Sequence, residues 1–104
     1  MRIVILPKAE KRLDEIYNFI KIKYPKAAAD ICNDILDEIE LLKIFPKMAA
    51  VEPILAGCTE IFRSLVVRRH YKVIYYIEDE TIYIVTIWDC RQDPKRLWNE
   101  VVIE

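Results

Sequence analysis

The side chains with the greatest chemical reach in this sequence are cations gathered in its second half: Arg63, Arg68, Arg69, Lys72 and Arg91, with Lys95 and Arg96 beyond. No acidic residue interrupts the stretch from Arg63 to Lys72. Guanidinium forks match phosphate oxygens in pairs, which an ammonium point charge cannot do. His70 is the one imidazole, and an imidazole titrates near neutrality, so it is a candidate base. There is a plainer reading of the same residues. Arg68 and Arg69 also suit the solvated tip of a hairpin, and Arg91 can pair with Asp89 or Asp93.

Other chemistries are poorly supplied. Cys32, Cys58 and Cys90 are odd in number, widely spaced and contain no C-x-x-C pair. With one histidine they make a poor zinc set, so reduced thiols packed as small hydrophobes are expected, with no metal and no cofactor. The balance of 16 basic against 17 acidic residues gives a net charge of −1. A general nucleic-acid binder carries a basic excess, so any phosphate contact must come from local clustering.

The elements that must position these groups follow from apolar spacing. The 104 residues are enough for a single domain, 1–104, with one core and 54% hydrophobic composition. Residues 2–6 form a short β-branched run ending at Pro7. That run is too short for a signal-peptide core or a membrane span, so a cytoplasmic protein is expected. Ala9, Leu13, Ile16, Tyr17, Ile20 and Tyr24 then make a helical stripe, closed by Pro25. Ala28, Ile31, Cys32, Ile35, Ile39 and Leu42 make a second, closed by Phe45-Pro46. Residues 47–59 hold Pro53 and Gly57, show no period, and read as a loop.

Three strands follow at 61–67, 71–77 and 82–88, joined by short connections and therefore an antiparallel meander. Asp93-Pro94 opens a last helical segment from Lys95 to about Val101. The sum is an α+β fold, a two-helix hairpin packed on a four-stranded, mainly antiparallel sheet in the order β-α-α-β-β-β. Both parities of the last two strands are apolar. Either the second sheet face has a partner or a covering C-terminal segment, or central strands are buried on both sides.

This order, with particular local stretches, resembles the RelE/ParE toxin family, closer to its ParE branch. Phe62-Arg63-Ser64-Leu65-Val66-Val67 and Tyr71-Lys72-Val73-Ile74-Tyr75-Tyr76 are similar to its strand pair with a Tyr-basic-apolar-apolar-Tyr signature. Ile82 to Ile87, then Asp89-Cys90-Arg91-Gln92-Asp93-Pro94, is similar to its last strand and Arg-containing exit. The first helix and the Phe45-Pro46 break complete a match over nearly the whole chain.

The resemblance implies the toxin of a type II toxin–antitoxin, plasmid-stabilisation system, wrapped by a co-expressed antitoxin. RelE-like members cut messenger RNA on the ribosome without metal; ParE-like members block DNA gyrase. The ribonuclease branch places a second basic residue where this chain has Leu65, and a tyrosine or histidine near the end, where it has Leu97 and Trp98. His70 falls at a hairpin turn, outside the family's catalytic position. Growth inhibition through DNA gyrase is therefore expected first, a ribosome-dependent ribonuclease second, and a non-toxic binding module on the same fold third. Arg63, Arg68, Arg69, Lys72 and Arg91 are the target-binding candidates, with Arg63, Lys72 and Arg91 expected to converge on one spot. These three and His70 are the catalytic candidates on the ribonuclease reading. Tyr76, Trp88 and Trp98 are expected to receive the antitoxin. No membrane and no small-molecule substrate are implied.

Overall fold

A computed structural model describes residues 1–102. Strand β1 (Arg2–Ile5) leads into helix α1 (Pro7–Lys21), a turn, and helix α2 (Pro25–Leu41). Each helix opens on a proline in its first turn, where the missing N–H has no intrahelical acceptor to lose and the fixed φ already suits a helix. Strand β2 (Ala50–Val51) and a 3-10 turn (Pro53–Leu55) precede β3 (Arg63–Val67), β4 (Tyr71–Glu78) and β5 (Thr81–Asp89), and helix α3 (Arg96–Val102) ends the described chain.

The α+β class and the helical hairpin agree with the sequence reading, but the sheet has five strands where four were expected, in the order β1-β5-β4-β3-β2. The extra strand lies in the segment read as a loop. Ala50 and Val51 pair with Ser64 and Arg63, and two residues are too few to show any period. β3, β4 and β5 form the expected antiparallel meander, whereas β1 joins the far side of β5 in parallel, Arg2 opposite Thr81 and Ile5 opposite Ile84.

The sheet is covered on both sides, which answers why its strands lack clean alternation. On one face the hairpin delivers Ala9, Ile35, Ile39 and Leu42 against Val73, Tyr75, Ile82, Ile84 and Ile87. On the other, Leu55 of the 3-10 turn and Leu97 of α3 pack with Phe62, Ile74 and Trp88. The covering C-terminal segment is thus part of this chain. A break in register between Ile74 and Tyr75, which pair with Thr86 and Ile84, inserts Val85 as an extra residue in β5. This bulge lets the strand present Val85 and Thr86 in succession without exchanging the faces of Ile84 and Ile87.

Candidate functional site

The expected convergence of Arg63, Lys72 and Arg91 does not occur. Arg63 pairs in register with Tyr75, so its side chain leaves the sheet on the helical face, where a guanidinium N–H donates to the carbonyl of Ala49 at 2.7 Å. Lys72 pairs with Val66 and Trp88 and leaves on the opposite face. Its ammonium donates to Glu52 Oε1, and that carboxylate is only 1% exposed. Arg91 lies past the end of β5, gripping both oxygens of Asp89 at 2.9 Å and donating to the Tyr71 hydroxyl at 3.2 Å. Its guanidinium also stands 5.7 Å from the Tyr71 ring centre. Tyr71 and Tyr75 are four residues apart on β4, about 13 Å of strand, so even the two arginines of one face serve different ends. The physical reason is strand parity. A hairpin that pairs Val67 with Tyr71 must send residues 63 and 72 to opposite faces.

The remaining candidates are also placed. Arg68 donates to Asp34 of α2, while Arg69 and His70 are exposed at the β3–β4 turn. Arg68 and Arg69 have φ of 50° and 67°, a left-handed turn that glycine or asparagine fills more cheaply. The carbonyl of His70 accepts from the Cys90 N–H at 2.7 Å, so the turn is tied to the exit of β5. Tyr76 is half-buried, stacked on Tyr83 with centroids 5.1 Å apart and edge-on to Phe62 at 5.6 Å. Trp88 is inside the second core under α3, whereas Trp98 stands partly exposed on α3. Of the three residues expected to receive the antitoxin, Trp88 is therefore enclosed, while Tyr76 and Trp98 keep some exposed surface.

Two polar clusters escaped the sequence reading. In the first, Glu52 sits on the second face before the 3-10 turn. Burial pushes its carboxyl up, but Lys72, the Ile54 N–H and Ser64 outweigh that and hold it below the ordinary range. In the second, Glu100 of α3 accepts from Arg12 of α1 at 2.7 and 2.9 Å and from the Thr86 hydroxyl at 2.7 Å, while Lys8 donates to its carbonyl at 2.6 Å. Thr86 is wholly buried. Arg12, against the opposition of burial and with help from Thr86, holds Glu100 below the ordinary carboxylate range. No sequence signal joins positions 12, 86 and 100. The spacing is long-range, and only the stop of β1 at Ile5, which leaves the end of β5 open to α1, brings them together. A cleft of about 560 Å³ lies over this cluster, with Gln92, Arg96 and Asn99 on its far wall.

Because Glu52, Asp89 and Glu100 are all held low, each lowered below its unfolded value, the unfolded chain takes up protons first as pH falls. Their stabilisation is complete above about pH 5 and is lost as pH drops through the lower folded values. Thermal melts should show Tm falling steeply over this acid range. Glu100→Gln should flatten part of that slope; an unchanged slope would remove Glu100 from the account.

These placements limit the chemistry. A phosphate held by Arg63, Lys72 and Arg91 together is geometrically excluded, since the sheet lies between two of them. Among the described residues, no group of three or more His, Cys, Asp or Glu side chains is arranged to hold a metal ion. The three cysteines are free thiols, with Cys32 buried. Nor is any helix among them long and apolar enough to cross a membrane.

The domain thus carries its helical hairpin on one sheet face and its C-terminal helix on the other. The family model described as the ParE toxin of the type II toxin–antitoxin system parDE matches residues 3–94. The chain belongs to the ParE toxin family, and membership in a two-protein system implies an antitoxin as partner. The fold is similar to a solved structure described as the chromosomal ParDE TA system from P. aeruginosa, with TM-score 0.71 and 22% identity over 86% of this chain and 95% of that one. No curated protein sequence matches significantly.

Proposed function

We propose that this protein is the growth-inhibiting component of a plasmid-stabilisation module, acting in the cytoplasm by binding DNA gyrase and released from that role by its antitoxin. The observation that carries the reading is the dispersal of the cations. Arg63 is spent on a backbone carbonyl, Lys72 on a buried carboxylate and Arg91 on Asp89. Metal-free RNA cleavage needs a base, an acid and cations around a single phosphate. Inhibition by binding needs none of these, only surface.

Induction without antitoxin should arrest growth, and purified protein should inhibit gyrase supercoiling in proportion to its concentration. Supercoiling untouched at a large molar excess would remove gyrase as the target. Fresh cuts in messages on translating ribosomes would replace it with the ribonuclease reading, and cells indifferent to induction would leave a non-toxic module on the same fold.

A further inference from the structure

The hairpin tip exposes more apolar surface than any use so far accounts for. Phe19, Ile22 and Tyr24 are 80%, 79% and 64% exposed. Isolated exposed apolar residues are ordinary, but three within six positions concentrate apolar surface at one end of the hairpin. The helical geometry explains why the core does not take them. The buried stripe of α1 runs through Ala9, Leu13 and Ile16, Phe19 faces off it, and Ile22 and Tyr24 lie in the turn beyond the last helical residue.

The patch is also basic. No aspartate or glutamate occurs between Glu15 and Asp30, while Lys21, Lys23 and Lys26 stand among the apolar residues. Among the described residues none of these lysines is in an ion pair. Lys21 lies 5.3 Å from the Tyr17 ring centre, which helps to order that ring.

Position reinforces composition. A groove running from Ile16, Phe19 and Ile20 to Tyr71, Asp89 and Arg91 puts the tip at the end of the sheet that carries the Arg68-Arg69 turn. The other end carries the Glu78-Asp79-Glu80 turn and, beside Met1 and Arg2, Asp37 and Glu40 of α2. Arg68 is paired with Asp34, Arg91 with Asp89 and Glu40 with Lys43, so the charge left free to act at the tip is that of its three lysines, and a local positive field of this kind turns the tip towards an acidic partner during encounter.

We propose that the hairpin tip, Tyr17 to Lys26, is the surface by which this toxin seats on its protein target, filling an apolar recess rimmed by carboxylates. The proposal rests on the gyrase reading for the identity of that target. A protein fits better than a nucleic acid. Ile22 gains nothing from a phosphate backbone, the tip carries lysine point charges and no arginine fork, and the whole chain is not basic.

The test compares wild type with Phe19→Ser/Ile22→Ser/Tyr24→Ser and with Lys21→Glu/Lys23→Glu/Lys26→Glu. All six side chains are exposed, so unchanged melting curves and capture by the co-expressed antitoxin verify the fold. In a supercoiling assay with purified gyrase, each variant should need at least about tenfold more protein for half inhibition, as loss of interface anchors implies. Wild-type inhibition should weaken with rising salt, while the lysine variant loses that dependence.

Variants as inhibitory as active wild type overturn the proposal. So does loss of antitoxin capture with inhibition kept, loss of a wild-type dimer in sedimentation, or loss of wild-type binding to bare DNA. If wild type itself spares gyrase, the gyrase reading falls alone and growth arrest becomes the readout. Variants as toxic as wild type, or a wild type that is not toxic, then overturn the tip as well.

Discussion

Lys72→Met is expected to lower the unfolding free energy by roughly 3 kcal/mol, the loss that follows when one member of a buried ion pair is removed. The size follows from asymmetry. Glu52 is almost wholly enclosed while Lys72 is about a quarter exposed, so the substitution leaves an intact carboxylate with only the Ile54 N–H and Ser64 for company. Urea denaturation at neutral pH measures the loss. Without the ammonium, burial is opposed only by the Ile54 N–H and Ser64, so the carboxyl of Glu52 is pushed up from where Lys72 holds it. The deficit should then be largest at neutral pH and shrink as the solution is acidified towards about pH 4. The double variant Lys72→Met/Glu52→Leu should recover most of the stability, because both polar partners are then gone together. By sequence alone Lys72 is a candidate cation for an external ligand. A Lys72→Met protein of wild-type stability that had lost only its growth inhibition would return it to that role.

The second large effect is expected at Leu97, which is 1% exposed and anchors α3 into the second core with Leu55, Phe62, Ile74 and Trp88. Leu97→Ala should cost about 3 kcal/mol, within the usual range for a buried leucine reduced to alanine. Its signature distinguishes it from an ordinary cavity. α3 is a short terminal helix, held on its inner side by this leucine and at Glu100 by Arg12, Thr86 and Lys8. Weakening one anchor should loosen the helix locally before the sheet melts. With Trp98→Phe in the background, the fluorescence of Trp88 should shift to the red and become accessible to acrylamide in Leu97→Ala under native conditions. A blue, protected Trp88 beside a uniform loss of stability would mean that α3 is held by its polar contacts alone.

How far the fold could be read from sequence depended on the range over which each signal acts. The two helices were legible because their stripes repeat over many residues and a proline opens each; Ala28, Cys32, Ile35, Ile39 and Leu42 are all buried as the spacing requires. The three long strands were legible within two residues at either end. β2 was not, being two residues whose pairing with Arg63 and Ser64 is tertiary. The apolar spacing places Tyr24 on the stripe, yet it is exposed, because the helix stops at Lys21 before its turn of the stripe arrives.

The candidate site was less legible than the fold, for an instructive reason. Close spacing of arginine and lysine suggests proximity, but in a sheet, proximity also requires matching parity across the hairpin. The pairing of Val67 with Tyr71 puts Arg63 and Lys72 on opposite faces, a conclusion already available from the turn. Glu52 and Glu100 carry no comparable mark. A carboxylate destined for burial looks like any other until its partner is known, and those partners come from β4, α1 and β5.

The parallel docking of β1 on β5 ties the order of synthesis to the order of assembly. The first residues of the chain, Arg2 to Ile5, wait for Thr81 to Ile84 before they have a strand to lie against. Such distant pairing delays closure of the sheet. A nascent chain released early, anywhere before β5, has the hairpin and neither the sheet edge that seats it nor the C-terminal cover. A truncated translation product therefore lacks both surfaces against which the hairpin and β1 are packed in the complete fold.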